Sequence, residues 1–313
     1  REAPTVKELS DLYMADDEIQ KKSSNTKRNE KQMLDSIIIP SLGTRKAGSI
    51  TRQDISKLHA SLKATPYRAN RVAALLSTMF SFAKEQRICQ ENPVKGVKKY
   101  HEEKRNRWLT PEEMSSLANA ISNYPDQNAA DCIRLLMLTG AREGEALNAT
   151  WKEFDIEHGV WVKPSHHTKQ KKTEYVTLSD AAIALLKRMA ERKTGNFLFP
   201  GAEDENGEIK RARITIRRPW TQICKAAGLT EEVIKEGKRR MANGEKRKLV
   251  RHKPTVRIHD LRHNFASYLV SSGVSLPIIG RLLGHTQPQT TARYAHLQND
   301  PLREAANKFP RLI

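Results

Sequence analysis

Cysteine is scarce. The 313 residues hold three, Cys89, Cys132 and Cys224, an odd number set far apart. They form neither a zinc-ligand pattern nor a disulfide framework, and they suit a reducing cytoplasm. No apolar run reaches the roughly 20 residues of a membrane-crossing helix, so no membrane partner is expected, and no secretory leader is visible. H-E-x-x-H is missing. The i, i+4 pair His259 and His263 and the adjacent His166 and His167 therefore carry no metalloprotease signature, and no metal is expected. Acidic residues are few beside basic ones: 36 Asp and Glu face 55 Lys and Arg, for a net charge of +19. Such an excess points to a polyanion, nucleic acid above all. Ribosomal and chromatin proteins share that sign, so charge alone assigns no activity. The chain opens on Arg1 rather than Met, which reads as a fragment or a processed chain.

The length suffices for two domains. Residues 1–90 read as helices only, at 5–20, 26–37, 51–63 and 66–87, with 37–55 holding a connection. In the last helix Val72, Leu75, Leu76, Met79, Phe80 and Phe82 make a wide apolar stripe. Residues 91–108 are polar and aperiodic and read as a basic interdomain linker. Its Lys95, Lys98, Lys99, Lys104, Arg105 and Arg107 are candidates to lie along a phosphate backbone. A second domain, 109–313, starts at Thr110-Pro111 with Glu113 completing a capping box. Helices at 111–122 and 127–139 lead to Gly140 and a new helix at Arg142, whose charge would join the helix dipole to receive an anion, with Glu145 one turn later. Short strands follow at 152–156, 159–163 and 174–178, with a basic hairpin tip that includes Lys169. Then come a helix from Ser179 to about 192, a small strand at 197–199, and a helix at 214–227. Residues 230–253 are strongly basic and read as a helix and a protruding loop. The fold class is thus mainly α with a small antiparallel β-sheet.

The chain is organised around residues 259–296. His259 and Arg262 sit three apart on one face of a helix whose apolar stripe is Leu261, Phe265, Tyr268 and Leu269. Gly273 ends that helix, Ser275 and Pro277 start a second one that runs to Gly284, and His285 follows. Pro288 opens a third short segment carrying Tyr294. Three short helices therefore offer two histidines, an arginine and a tyrosine. A hydroxyl nucleophile among cationic donors suits attack on a phosphate.

With Arg142 in LTGAREGEAL, Lys169 in HTKQKKTEYVTLS, the H-x-x-R of His259 and Arg262, and LLGHTQPQTTARYAH with His285 and Tyr294, the sequence resembles the tyrosine recombinases, the phage-integrase family. The resemblance covers the second domain and, more loosely, the first, which looks like the family's helical core-binding domain. It implies an α+β catalytic domain and a site-specific DNA recombinase serving integration or excision of a mobile element or prophage. Tyr294 would attack the scissile phosphodiester and become a 3′-phosphotyrosine. Arg142 and Arg262 would hold the non-bridging oxygens, since a guanidinium fork fits them better than an ammonium. Lys169 would protonate the leaving 5′ oxygen, His259 would help move the tyrosine proton, His285 would donate to a phosphate oxygen, and Glu145 would orient Arg142 or His259. One ester replaces another, so no cofactor is required. The partners implied are double-stranded attachment-site DNA, three further copies in a homo-tetramer on paired sites, and an accessory DNA-bending or directionality protein, in a bacterial cytoplasm at the nucleoid. A tail helix with Leu302, Ala305, Ala306 and Phe309 on one stripe would dock on a neighbouring protomer. Two alternatives stand beside this: a type IB topoisomerase-like nicking-closing enzyme and a DNA-binding protein without catalysis.

Overall fold

The computed structural model of the chain describes residues 3–297, except 104–106, 167, 169–171 and 241–245; at 235–240 and 246–248 it describes the backbone alone. The chain divides into two compact units, Arg1–Arg105 and Asn106–Ile313.

The first unit is all helical: α1 (Val6–Ala15), α2 (Asp17–Gln20), α3 (Ser24–Met33), α4 (Ile39–Leu42), α5 (Arg52–Ser61) and α6 (Pro66–Glu85). The helix expected at 5–20 breaks at Asp16, whose backbone is extended and whose carboxylate accepts from the Glu18 amide. The helix expected to end at 37 runs on, because a π turn at Leu34–Ile38 joins α3 to α4. The stripe on α6 is the core of the unit: Val72, Leu75, Leu76, Met79 and Phe80 are buried against Leu9, Tyr13 and Ile38, and Phe82 packs half-buried beside them.

The expected linker at 91–108 is in good part fastened to this unit. Asn92 donates to the Ser77 carbonyl at 2.8 Å and to Ser81 Oγ at 3.0 Å, and Val94 enters the core. Asn70 bonds both the amide and the carbonyl of Tyr100, whose ring stacks on His59 at 4.4 Å. Buried anchors at 92 and 94 and the half-buried Tyr100 outweigh the polarity of the residues between them, and that polarity suggested a free tether. Lys95, Lys98 and Lys99 stay exposed; Lys104 and Arg105 lie outside the described residues.

The second unit opens on α7 (Pro111–Ser122), capped by Thr110 and Glu113 as the sequence predicts, then α8 (Gln127–Thr139) and α9 (Glu143–Leu147). A three-stranded antiparallel sheet follows in the order β1 (Phe154–Asp155), β2 (Val160–Lys163), β3 (Glu174–Thr177). Trp161 opposes Val176 and Lys163 opposes Glu174 across β2 and β3. After these come α10 (Asp180–Ala190) and α11 (Arg217–Ala226). The strand expected at 197–199 is only a bridge from Phe197 to Thr150. Trp161, Ile133, Leu117, Leu186 and Phe199 fill one core, and buried Asp131 on α8 gathers Arg134, Arg188 and Arg192, which ties α10 to it.

Residues 230–253 are neither helix nor loop where described. They form a two-stranded ribbon, β4 (Thr230–Arg240) against β5 (Lys246–Pro254), with Ile234 opposite Val250. The charge concealed the β-branched residues at 230, 233, 234 and 250 and the Asn243-Gly244 between the strands, a strong hairpin signal. The chain then enters α12 (Ile258–Ser271), α13 (Leu276–Leu282) and α14 (Pro288–Ala292).

Gly140 closes α8 in the left-handed region at φ 61°, where glycine alone avoids strain. A Cβ there would stand 2.6 Å from the Phe265 ring and 2.9 Å from Leu283. Gly140→Ala should therefore combine backbone strain with overpacking, together about 2–4 kcal/mol. Thermal unfolding should show a melting temperature lower by roughly 5–10 °C; an unchanged value would mean that α12 and α13 yield freely at this point.

Candidate active site

Arg142 sits at the N-cap of α9, a helix of five residues. Its Nη1 donates to Glu145 Oε1 at 2.5 Å, and the other Glu145 oxygen accepts from Lys163 Nζ at 2.7 Å. Glu145 and Lys163 are both 3% exposed, and the ammonium lies 4.5 Å from the Trp161 ring centroid. Burial would raise the Glu145 carboxyl, but Lys163 and Arg142 outweigh it and hold the group below the usual carboxylate range. Burial also lowers the Lys163 ammonium, against the pull of Glu145.

Glu174 is the cross-strand neighbour of Lys163, yet the ammonium is spent on Glu145. Both Glu174 oxygens are shut off from solvent and have no hydrogen-bond partner among the described residues. They press on Gly284, where any Cβ would collide with the carboxylate. Burial pushes the Glu174 carboxyl above its usual value; Lys163, Arg142 and Arg262 pull the other way and do not cancel the effect.

Arg262 on α12 is 4% exposed, so it is not on a free face beside the apolar stripe. Its Nη1 donates to the Gly140 carbonyl at 2.7 Å and its Nη2 to the Leu283 carbonyl at 2.5 Å. The buried face of α12 is partly polar. Asn264 accepts from the Leu109 amide and donates to the Asp260 carbonyl, while Tyr268, expected in the stripe, is 74% exposed. Periodicity alone cannot see a face that is buried through hydrogen bonds. Burial, then Arg142 nearby, pull the guanidinium down to about 10, which leaves it charged at neutral pH. A guanidinium has five N–H groups. Two are bonded here among the described residues.

His285 follows the turn at Gly284. Its amide donates to the Gly280 carbonyl, and its Nδ1 meets the buried Thr291 hydroxyl at 2.8 Å. Burial, then Arg262 and Arg142, bring the imidazole down to about 4. With Thr291 donating to Nδ1, the neutral ring carries its proton on Nε2 and can donate outward.

Tyr294 is 5% exposed and packs with Ala266, Val270, Ile279 and Leu283 in a small core of its own. Its hydroxyl meets His263 Nδ1 at 2.5 Å. The expected proton mover, His259, is exposed and touches the His263 ring edge-on at 5.0 Å. Burial raises the phenol's pKa, with Arg293 and Arg262 opposing, so the hydroxyl is protonated at neutral pH.

The electrostatic neighbourhoods of Arg262 and His285 thus bring together Arg142, Arg262, His285, Tyr294 and Glu145. Lys169 lies outside the described residues, as does the tail from 298 onward. Arg107, taken as a DNA contact, is paired with Glu113 at 2.8 and 2.6 Å. Lys163, Glu174 and His263 were missed as site residues. Lys163 and Glu174 read as plain strand positions, and only their register reveals that they face one another. His263 carried a signal, as the i+4 neighbour of His259 in a helix that leads to the tyrosine.

The phage integrase family profile matches residues 107–300. The integrase of Escherichia phage P2 is 30% identical over 84% of this chain and 66% of its own length. A tyrosine recombinase of Thermosipho africanus is 28% identical over 77% of this chain and 75% of its own. The integrase of Salmonella phage P22 is 24% identical, and the chain spans about half of it, 48%. Among solved structures, the Tn1549 transposon integrase in complex with a circular intermediate DNA covers 98% of this chain with a TM-score of 0.74 at 17% identity. A lambda integrase tetramer bound to a Holliday junction covers 95% with a TM-score of 0.70 at 18% identity. Both show the same fold.

The Glu174 carboxyl is raised in the folded state. In the window above its unfolded value of about 4.3 the folded chain therefore holds more proton than the unfolded one, and stability falls as pH rises. Glu174→Gln should raise the melting temperature at pH 7.5, and the gain should fade as pH drops toward 4. A gain equal at both ends, or a loss at pH 7.5, would show that the carboxylate is compensated.

Proposed function

The chain belongs to the phage integrase family of tyrosine recombinases, and we propose that it cleaves and rejoins DNA strands at specific sites through a 3′-phosphotyrosine on Tyr294, for integration or excision of a mobile element or prophage. The observation that carries this reading is the buried Tyr294 hydroxyl in the field of Arg262 and Arg293, with Arg142 and His285 beside that same Arg262.

In the step itself the phenol oxygen bonds to phosphorus as the bond to the 5′ oxygen breaks. Charge builds on the non-bridging oxygens, where Arg142 and Arg262 act as fixed donors; losing one such donor typically costs about 3–4 kcal/mol of barrier. His285 adds an Nε2–H. Lys169, which lies between β2 and β3 in the sequence, protonates the leaving oxygen. His259, exposed beside Arg262, faces the DNA. Glu145 holds Arg142 from below and Lys163 holds Glu145, so the arginine keeps its orientation before DNA arrives. The reaction exchanges one phosphate ester for another and uses no nucleotide.

The exposed Lys95, Lys98 and Lys99, and the flanking Lys104 and Arg105, follow the phosphate backbone, and the helical first unit is the core-binding partner of the catalytic unit. The enzyme works as a homo-tetramer on two attachment-site duplexes, aided by an accessory DNA-bending or directionality protein, at the bacterial nucleoid. The tail beyond residue 300, with Leu302, Ala305, Ala306 and Phe309 in one stripe, docks on the next protomer. No helix among the described residues is long and apolar enough to cross a membrane.

Tyr294→Phe removes one oxygen. It should keep DNA binding and abolish the denaturant-resistant adduct on nicked duplex; an adduct that persists would overturn the assignment. Arg142→Lys and Arg262→Lys keep charge and lose the fork. Each should cut single-turnover cleavage by about 10²–10³ while affinity barely moves, because many other cations hold the DNA. Equal losses in binding and cleavage would reduce both to ordinary backbone contacts.

A further inference from the structure

We propose that His263 is a catalytic residue, the group that takes the Tyr294 proton in strand cleavage and returns it in strand joining. The proposal deepens the reading of Tyr294 as nucleophile and rests on it.

The geometry is direct. His263 Nδ1 stands 2.5 Å from the Tyr294 oxygen, and among the described residues it is the hydroxyl's hydrogen-bond partner. The phenol is protonated, so it donates, and Nδ1 accepts. The neutral ring then carries its own proton on Nε2. His263 lies on α12, one residue after Arg262, so the element that grips the phosphate pocket also presents the base to the nucleophile. The His259 ring edge packs against it at 5.0 Å and fixes its plane. Burial, then Arg293 and His259, bring the imidazole down to about 4, so that it is unprotonated and able to accept at neutral pH. The charged and titratable groups that face it are His259, Asp260 and Arg262 on its own helix and Arg293 and Tyr294 beyond α14.

An imidazole held this low is a weak base in the free chain. The scissile phosphate changes that: it brings negative charge next to Arg262 and Arg293, two of the groups that depress the ring, and so raises the proton affinity of His263 when DNA is in place. In cleavage the phenol oxygen bonds to phosphorus, its proton passes to Nδ1, the bond to the 5′ oxygen breaks, and that oxygen takes a proton from the acid assigned above to Lys169. In joining, the 5′ hydroxyl attacks the phosphotyrosine, gives its proton to that lysine, and Tyr294 recovers its own from His263. The protein ends each cycle in its starting protonation state.

The test uses the full chain and a duplex selected from a random library for covalent capture, with the cleaved position mapped. That duplex is then remade with a bridging 5′-phosphorothiolate, whose sulfur leaves without a proton. His263→Gln keeps an acceptor for the hydroxyl and cannot keep its proton. At pH 7 it should cut the single-turnover rate by about 10²–10⁴ on both duplexes. The deficit should narrow toward high pH, as hydroxide replaces the base. Lys169→Ala should be impaired on the oxygen duplex and recover on the sulfur one. His263→Asn, shorter by one carbon, provides a second variant, with melting temperature and DNA affinity checked for each. A deficit that is constant with pH, or that the sulfur duplex rescues, or a wild-type rate in both variants, overturns the proposal. Failure of the wild-type chain to form any adduct, or an adduct that survives Tyr294→Phe, overturns the nucleophile reading itself and the proposal with it.

Discussion

The grip of Arg262 on two backbone carbonyls is the interaction on which the site depends. One guanidinium holds the carbonyl at the end of α8 and the carbonyl just before the turn that carries His285. Charge-assisted hydrogen bonds of this kind are stronger than neutral ones, and burial shields them from water and salt. The Gly140 turn is thereby fixed, and Arg142 emerges from it two residues later. The Leu283 turn is fixed as well, and from it come His285 and, through Thr291, the segment of Tyr294. A lysine could satisfy one of these carbonyls but not both together with an anion, because it lacks the planar fork. The residue assigned to the phosphate is thus also the one that assembles the pocket.

Around that clamp the charges are graded. Arg142 has a dedicated carboxylate in Glu145, and Glu145 has a second cation in Lys163. This chain of buried partners orients Arg142 without cancelling it, since one carboxylate is shared by two cations. The histidines respond to the surplus. His263 and His285 are both pulled down to about 4 by burial and by the arginines beside them. Two neutral rings in a cationic pocket can then divide the work: one accepts at Nδ1 from Tyr294, and the other accepts at Nδ1 from Thr291 and offers Nε2–H. Glu174 is the counterweight. Its carboxylate lies against Gly284 with no donor among the described residues, under the turn that carries His285.

Much of this was legible in the residues. Periodicity found α6, the capping box found the start of α7, and the H-x-x-R with LLGH and Tyr294 pointed to the groups proposed to react, because each is a local pattern with a local cause. What stayed hidden depends on partners far along the chain. Residues 91–103 look like a tether until Asn92, Val94 and Tyr100 find their seats on α6 and α5. The ribbon at 230–254 was masked by its charge: nine Lys and Arg among 25 residues read as solvated helix or loop, although Val233, Ile234 and Val250 favour strands. The burial of α12 was mistaken by one face, because Arg262 and Asn264 are buried through bonds to carbonyls and amides rather than through apolar contact. Lys163 and Glu174 are eleven residues apart, and only the antiparallel register makes them neighbours.

The nucleophile's setting carries a further consequence. Tyr294 belongs not to the main core of its unit but to a small cluster with Ala266, Val270, Ile279 and Leu283. A cluster of that size buries little apolar area, so opening it costs far less than unfolding the unit. Yet Tyr294 within it is 5% exposed. On the reading proposed above, a phenol that is to meet a phosphate held between Arg142 and Arg262 has to leave part of that cover. The opposing ties are few and specific: the His263 bond, the Thr291 bond to His285, and the Arg262 bond to Leu283. Two of the three end on groups that a phosphate would engage, so an arriving phosphate acts on the same arginine and histidine that hold the segment. On the reading proposed above, substrate and latch meet on the same two side chains, Arg262 and His285, through different atoms of each.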